Sequence, residues 1–218
     1  MDAMFADIAA RLAETASASG ARQILDIGCG TGAVAIAAAK AAPAAEITGI
    51  DLSSPMLALA RKRAVEAGVN ARFVHADAET HAFEPACQAL LLSRFGVMFF
   101  ADPVRAFSNL LTASKPGAHM HLYAWRSPAE NAFMAAGTRA AAPYLSDMPK
   151  REKNAPGQFG FEDDAYVHDI LQKSGWQDIA IEAEDIACRF PAGDLDLFLN
   201  RLGPLPRLLD ANPQADRD

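Results

Sequence analysis

The feature that most constrains this chain is an apolar run that leads into three glycines at alternate positions. Residues 24–27 are followed by Gly28, Gly30 and Gly32, and residues 33–40 are mostly strong helix formers. Glycine adopts positive φ and has no Cβ, so such a turn is tight and exposes bare backbone to a ligand. The N–H groups at the start of the following helix favour an anionic group. The sequence therefore predicts a strand, a glycine turn and a helix around a nucleotide-type binding site.

The alternation of strands and helices continues along the chain. Short β-like runs occupy residues 23–27, 46–51, 71–75, 89–93 and 118–125. Helical or looser apolar segments are predicted at residues 3–17, 33–42, 55–67, 80–85 and 103–113, and a Lys-Pro-Gly turn precedes the fifth strand. Such alternation is typical of βαβ units. We therefore expect an α/β fold with a doubly wound, mostly parallel sheet flanked by helices, whose ligands lie outside the carboxyl ends of the strands.

The whole chain, residues 1–218, is interpreted as a single domain with its core at residues 20–185. Prolines and a charge run punctuate residues 136–160, and this insertion is long enough to form a lid or a substrate cap. Residues 202–218 carry three prolines and end in polar residues. We expect them to form a loosely ordered tail.

Two further elements are predicted in the second half of the core. Asp163 or Asp164 is expected to cap a helix that stops at Gly175. Residues 179–190 alternate between apolar and polar side chains at their start, which is compatible with a further strand.

Composition limits the classes of function. The 218 residues are 51% hydrophobic and 22% charged, with a net charge of −7 and scattered basic residues, so no electrostatic footprint for nucleic acid is present. The start is acidic and lacks the basic region of a secretory signal. The longest apolar run, residues 86–101, is interrupted by Arg94 and is too short to span a bilayer. The three cysteines are isolated, which disfavours a disulfide framework or a zinc site. We expect a cytoplasmic monomer or homodimer without a metal.

Six segments resemble the class I methyltransferases that use S-adenosyl-L-methionine, in the family's order. They read LDIGCGTG, GIDLSSPML, HADAE, SRFGVMFF, KPG and PGQF and begin at residues 25, 49, 75, 93, 115 and 156. The ordered set makes the likeness specific, because a single glycine motif is weak. The resemblance is to UbiE-like small-molecule methyltransferases. It implies a Rossmann-like fold and direct transfer of a methyl group to an oxygen, nitrogen or carbon atom of a small-molecule acceptor.

Two departures from the family pattern concern the ends of the chain. Similar members usually carry further helices before the first strand, which close over the cofactor, whereas about one helix precedes Ile24. The family sheet usually ends in a seventh, antiparallel strand, and nothing after Phe190 has the pattern of one. We therefore expect a sheet that lacks this strand or builds its edge differently. A module that binds the cofactor without catalysis is one alternative function.

The resemblance also assigns residues to the cofactor. It implies that the glycine turn passes under the methionine part, that Asp51 accepts the ribose hydroxyls, and that Asp77 accepts the adenine amino group. Leu52 and Met56 are expected on the adenine faces, and the backbone carbonyl of Ser93 near the ammonium group. The full predicted set of cofactor-binding residues is Asp26, Gly28, Cys29, Gly30, Gly32, Asp51, Leu52, Met56, Asp77, Ala78, Ser93 and Arg94.

A second alternative function is an NAD-dependent oxidoreductase. Gly28, Gly30 and Ala33 also satisfy the looser dinucleotide-binding pattern, and Asp51 suits either cofactor. Asp77 discriminates between them, because a dinucleotide enzyme has no need of this second acid.

The sequence identifies no certain catalytic residue. His121, Arg94 and Tyr123 are candidates because they lie in or after strands that end near the expected methyl position. The rings of Phe95, Tyr123 and Trp125 are also candidates for contact with the sulfonium cation. No Ser/His/Asp or Cys/His nucleophile arrangement is visible.

Overall fold

The computed structural model describes residues 3–144, 152–189 and 191–195. They form one sheet of five parallel strands in the order β3-β2-β1-β4-β5. The strands are β1 (Gln23–Ile27), β2 (Glu46–Asp51), β3 (Ala71–His75), β4 (Gln88–Arg94) and β5 (Ser114–Tyr123). The predicted Rossmann-like α/β fold is confirmed, and the first three strands have the bounds expected from the sequence.

Six helices of the described part of the chain flank the sheet: α1 (Ala6–Ser19), α2 (Ala33–Ala41), α3 (Ser54–Glu66), α4 (Pro103–Ala113), α5 (Ala132–Ala141) and α6 (Asp164–Lys173). Their ends follow local chemistry. The side chains of Ser53, Asp102 and Asp163 accept backbone N–H groups at the starts of α3, α4 and α6. Gly20 ends α1 in the left-handed conformation. None of the described helices is long and apolar enough to cross a membrane.

Successive residues of the central strands face opposite sides of the sheet and build two cores. Ile24 of β1 lies in a cluster with Leu12 of α1, Ala35 of α2 and Leu57 of α3. Leu25 of β1 lies in the other cluster, together with residues of α4 and α6 such as Phe107 and Ile170. This period of two is the reason why both faces need helices. The sheet is therefore doubly wound, as predicted.

The Lys-Pro-Gly segment, residues 115–117, lies inside β5 instead of forming a separate turn before it. Gln88 pairs with Ser114 and Leu90 with His119, so a bulge of several residues interrupts the β4–β5 ladder. Gly117 has φ +76°, a conformation that glycine adopts without strain. The bulge absorbs the turn and lets the strand start earlier than the sequence predicted.

The looser helical segment predicted at residues 80–85 is not a helix. Residues 78–80 form a turn and the remainder has no regular structure. The side-chain amide of Asn109 donates to the carbonyl groups of Ala78 and His81, which replaces helical partners for this stretch.

The strand predicted at residues 179–190 is also wrong for residues 179–189, which form no strand. Ile181 is 44% exposed, so its alternation with polar neighbours does not reflect a buried face. Side chains hold this segment instead: Glu184 pairs with Arg11 of α1, and Asp185 pairs with Arg126. Residue 190 and the predicted tail, residues 202–218, lie outside the described residues, as do residues 145–151 of the predicted lid.

Hydrogen exchange tests whether residues 180–186 lack strand structure. Within the described residues, no backbone hydrogen bond is made by the amides of residues 180–186, whereas residues 90–92 of β4 lie in the centre of the sheet. We expect the first group to exchange at near-intrinsic rates and the second to be slowed about a thousandfold or more. Comparable protection in both segments, read peptide by peptide by mass spectrometry, would contradict the assignment.

Candidate active site

The carboxyl ends of β1 and β2 hold the glycine turn. Cys29 N–H donates to the Ile50 carbonyl at 3.1 Å, and Gly32 N–H donates to the Cys29 carbonyl at 2.9 Å. Burial raises the pKa of the Cys29 thiol, so this side chain stays protonated and unreactive. Cys29 therefore joins the turn to β2 through its backbone.

The three glycines of the turn have different surroundings, although all have positive φ. A Cβ at Gly28 would lie 2.6 Å from the Cα of Gly96, and one at Gly32 would lie 3.0 Å from the Cβ of Ala60. A Cβ at Gly30 would meet only the sulfur of Met56, at 3.8 Å. The first and third glycines thus permit packing within the protein. Gly30 leaves open space against bare backbone, which fits a ligand.

Asp51, at the end of β2, faces this open position. Its Oδ2 accepts the N–H of Gly30 and its Oδ1 accepts the N–H of Ser53, both at 2.8 Å. A carboxylate has about four acceptor sites, so each oxygen can accept a further donor such as a hydroxyl. Leu52 is 66% exposed and Met56 is 45% exposed, and the sulfur of Met56 lies near Gly30. The site therefore offers apolar surface next to a carboxylate, as a nucleoside requires.

Asp77 lies at the neighbouring strand end. Ala76 N–H donates to the Asp51 carbonyl at 3.2 Å, which brings the two acidic segments together. The Oδ1 atom of Asp77 accepts the N–H of Glu79 at 2.9 Å, and within the described residues no donor reaches Oδ2. The adjacent Ala78 is buried. Asp77 thus keeps one carboxylate oxygen for a ligand donor.

The segment after β4 crosses the glycine turn. Ser93 is fully buried, and its hydroxyl donates to the Ile27 carbonyl at 2.7 Å and accepts the N–H of Gly96 at 3.2 Å. Phe95 has φ +64°, an uncommon conformation for an aromatic residue, and its N–H donates to the Tyr123 carbonyl at 2.9 Å. Strained backbone of this kind persists where its surroundings hold it, often at functional sites. Here it turns the Phe95 ring away from the direction of β4.

Four aromatic rings from separate segments meet beside this loop. Phe95 and Trp125 stack with their centroids 4.2 Å apart, and Phe5 contacts both edge-on, at 5.3 Å and 5.5 Å. Phe133 of α5 packs on Trp125 at 6.0 Å. We call Phe5, Phe95, Trp125 and Phe133 the aromatic cluster. The sequence suggested Phe95 and Trp125, but no local signal links Phe5 or Phe133 to them.

Two of the three candidate catalytic side chains lie together, since the rings of His121 and Tyr123 stack with their centroids 5.6 Å apart. The His121 ring lies 3.3 Å from the Thr15 hydroxyl of α1, and the Tyr123 hydroxyl donates to Glu184 at 3.0 Å. Burial, together with the hydrogen bond to Glu184, raises the pKa of Tyr123, so it is a poor base. Arg94 donates to the Phe5 carbonyl at 3.2 Å. A group of acidic, histidine or cysteine side chains suited to a metal ion is also absent from the described residues.

Asp26, in β1, is enclosed by protein and is 1% exposed. Its Oδ2 accepts the N–H of Ala35 in the first turn of α2 at 3.0 Å. Burial raises the pKa of Asp26 to about 7, although the hydrogen bond from Ala35 and the charge of Arg94 oppose this rise. The side chain therefore supports the start of α2 and carries its charge only near neutral pH and above.

Comparison with known proteins agrees with this geometry. Residues 24–117 match the family model described as a methyltransferase domain. A demethylmenaquinone methyltransferase of Thermus thermophilus is 35% identical over 51% of this chain and 51% of its own length. A ubiquinone biosynthesis O-methyltransferase of Aliivibrio fischeri is 31% identical over 49% of this chain and 45% of its own length. The chain thus spans about half the length of these relatives.

A solved structure extends the likeness beyond the matched domain. Phosphoethanolamine N-methyltransferase 2 of Haemonchus contortus, in complex with phosphomonomethylethanolamine and S-adenosylhomocysteine, superposes with a TM-score of 0.54 at 25% identity. The superposition covers 74% of this chain and 34% of that chain. The sheet, the glycine turn and the flanking helices are therefore those of a methyltransferase fold.

Alanine substitutions at Gly30 and Gly28 test whether the space at Gly30 is used by a ligand and the space at Gly28 by packing within the protein. Both positions have similar φ, +53° and +63°, so the backbone penalty of about 1–2 kcal/mol is shared. We expect Gly30→Ala to weaken S-adenosylhomocysteine binding about tenfold or more and to lose little further stability. Gly28→Ala adds a clash with Gly96 and should cost about 2–3 kcal/mol more in the free energy of unfolding.

Calorimetric titration and urea unfolding measure these two effects. Unchanged affinity in Gly30→Ala would show that the open space at Gly30 holds no ligand, and equal losses of stability in both variants would show that the Gly28–Gly96 contact leaves room for a Cβ.

The pH dependence of stability tests the burial of Asp26. Its pKa is raised from 3.8 to about 7 in the folded chain, so between these values the folded state retains a proton that the unfolded state has lost. Stability relative to Asp26→Asn should therefore fall by about 1 kcal/mol per pH unit as the pH rises from about 5 to 7, and then level off. Urea unfolding of both proteins across this range gives the difference, and a flat difference would contradict the burial effect.

Proposed function

We propose that this chain methylates a small acceptor molecule that carries an aromatic ring. The proposal starts from the match of residues 24–117 to a class I, S-adenosylmethionine-dependent methyltransferase domain. One observation carries the proposal. An open glycine with two carboxylates lies at the ends of β1, β2 and β3, and a cluster of aromatic rings lies beside the neighbouring end of β4. The first part suits an adenosine group and the second suits a flat acceptor.

The polar part is proposed to bind the nucleoside of the cofactor. Asp51 accepts ribose hydroxyls with its remaining acceptor sites, and the Oδ2 atom of Asp77 accepts the adenine amino group. The exposed side chains of Leu52 and Met56 cover the base and gain from burial when it binds, at about 25 cal/mol per Å² of apolar area. The Ser93–Gly96 segment and Gly28 place backbone groups next to the methionine end.

Bound S-adenosylmethionine supplies a methyl group on a positively charged sulfur. The acceptor atom attacks the methyl carbon directly, and the sulfur leaves as a neutral thioether. The protein then has to orient the acceptor atom in line with the methyl carbon and exclude water. Orientation alone can lower the activation barrier by on the order of 7–11 kcal/mol. An apolar wall also favours a reaction that neutralises the sulfonium charge. The aromatic cluster provides such a wall.

The acceptor class follows from the same wall. Aromatic rings pair by offset stacking or edge-to-face contact, worth about 0.5–1.5 kcal/mol per pair beyond area burial. A quinol or catechol ring presents the matching surface. The relative from Thermus thermophilus is named as a methyltransferase of demethylmenaquinone and the one from Aliivibrio fischeri as an O-methyltransferase of ubiquinone biosynthesis, which supports this class.

Proton removal is proposed to need no dedicated base. The four rings of the aromatic cluster cannot accept a proton, and His121 and Tyr123 have partners on α1 and on Glu184. The ionised fraction of a quinol or catechol, although small at neutral pH, is then the nucleophile, and the proton is released to water. The net charge of −7 likewise favours a small-molecule acceptor over nucleic acid.

We propose a cytoplasmic protein that is a monomer or a homodimer, and sedimentation can distinguish these two oligomeric states.

Binding and turnover assays test the proposal. S-adenosylhomocysteine should bind with a Kd on the order of micromolar, near −8 kcal/mol, in isothermal titration. Asp51→Ala and Asp77→Asn should each weaken binding about tenfold or more, because buried hydrogen-bond donors of the ligand lose their partner. Asp169→Asn is the matched control, since Asp169 is an exposed residue of α6 paired with Lys173.

The acceptor panel contains a naphthoquinol, a catechol and phosphoethanolamine, with methyl-labelled S-adenosylmethionine as donor. We expect transfer to the first two. Tight binding of NADH with none of S-adenosylhomocysteine would support the oxidoreductase alternative. Cofactor binding without transfer to any acceptor would support the non-catalytic module. Transfer to phosphoethanolamine alone would overturn the aromatic acceptor class.

A further inference from the structure

Arg94 reaches from the end of β4 to the start of α1. Its Nη1 donates to the Phe5 carbonyl at 3.2 Å, and its guanidinium carbon lies 5.9 Å from the centre of the Phe5 ring. The same carbonyl accepts the N–H of Ala9 at 3.3 Å, which is the first backbone bond of α1. Phe5 is the N-cap residue of α1 and makes no side-chain cap. Arg94 therefore holds the residue at which α1 begins.

The start of α1 is buried against the proposed methyl-transfer site. Met4 is 5% exposed and Phe5 is 6% exposed, although both precede the helix. Phe5 contacts Phe95 and Trp125 edge-on. The residue after Phe95 is Gly96, whose backbone lies against Gly28 of the glycine turn. A continuous set of contacts thus joins the start of α1 to the glycine turn.

The charge distribution of α1 does not favour an arginine at this position. The start of a helix carries partial positive charge and disfavours a cation by about 0.3–1 kcal/mol. The Phe5 carbonyl and the face of its ring offset this cost. The guanidinium thus has a backbone partner at the start of α1 and a ring partner in the aromatic cluster, so it connects the two.

We propose that Arg94 is a positioning residue, which fixes the start of α1 and thereby holds the buried Phe5 ring behind Phe95 and Trp125, the rings of the aromatic cluster that face the acceptor. The proposal rests on the proposed methyl transfer for its effect on the acceptor. It acts through Phe5 and needs no contact between Arg94 and the acceptor. Loss of Arg94 should loosen the start of α1, widen the acceptor site and leave the sheet intact.

Hydrogen exchange of the full chain without ligand gives the first readout. In Arg94→Ala, amides in the first turns of α1, residues 6–10, should exchange about tenfold faster, with β1 and β4 unchanged. Arg94→Lys keeps the charge but not the planar fork, so it should lie between the native chain and Arg94→Ala. Arg105→Ala, an exposed arginine on α4, is the control. Faster exchange throughout the sheet, or no change in residues 6–10, would overturn the proposal.

Kinetics of single and double variants give the second readout. Arg94→Ala and Phe5→Ala should each raise the acceptor KM about tenfold and change the affinity for S-adenosylhomocysteine much less. Because both act through one wall, the double variant should be no worse than either single variant. Multiplied effects would show that Arg94 acts independently of Phe5.

The two proposals fail in distinguishable ways. If the native chain bound no S-adenosylhomocysteine, the proposed function would fail and the exchange result would still decide how Arg94 holds α1. If the native chain binds and transfers normally while Arg94→Ala is unchanged in exchange and KM, the role of Arg94 fails alone.

Discussion

The contact between the backbones of Gly28 and Gly96 is the constraint on which the site depends. A Cβ at Gly28 would lie 2.6 Å from the Gly96 Cα, so only two glycines allow the turn after β1 and the loop after β4 to touch. The buried hydroxyl of Ser93 fixes this contact by bridging Ile27 and Gly96. β1 and β4 are neighbours in the sheet at the point where the strand order reverses. Ligands of such sheets bind at this reversal.

This contact also separates two environments within one site. On the β2 and β3 side, carboxylates and exposed apolar side chains offer polar and flat surfaces for a nucleoside. On the β4 side, the backbone of Phe95 turns through positive φ and aims its ring at Trp125. Polar groups of a ligand are therefore solvated by protein groups at the β2 and β3 end of the site, whereas the aromatic rings at the β4 end form an apolar surface. A reaction that loses a positive charge proceeds best at the second end.

Local signals predicted what depends on local chemistry. The bounds of β1, β2 and β3 follow from short apolar runs between turn residues, and those of α4 follow from Asp102 and Pro103. The acids at the strand ends were also predictable from spacing. The aromatic cluster was not, because Phe5 and Phe133 come from segments far apart in sequence, and their meeting depends on how α1 and α5 pack. The strand predicted at residues 179–190 failed because alternation cannot show whether a partner strand is present.

The segment that replaces this strand explains why the edge of the sheet and the site are separable. Residues 179–189 are held beside β5 by ion pairs of Glu184 and Asp185, which are exposed and contribute at most about 1 kcal/mol each. Ile186 and Cys188 add apolar contact with the core cluster that contains α1. The glycine turn, Asp51 and Asp77 lie on β1, β2 and β3, on the other side of β4 from this edge. In the proposed function, cofactor binding therefore depends on the centre of the sheet, and the β5 edge is adjacent only to the proposed acceptor side.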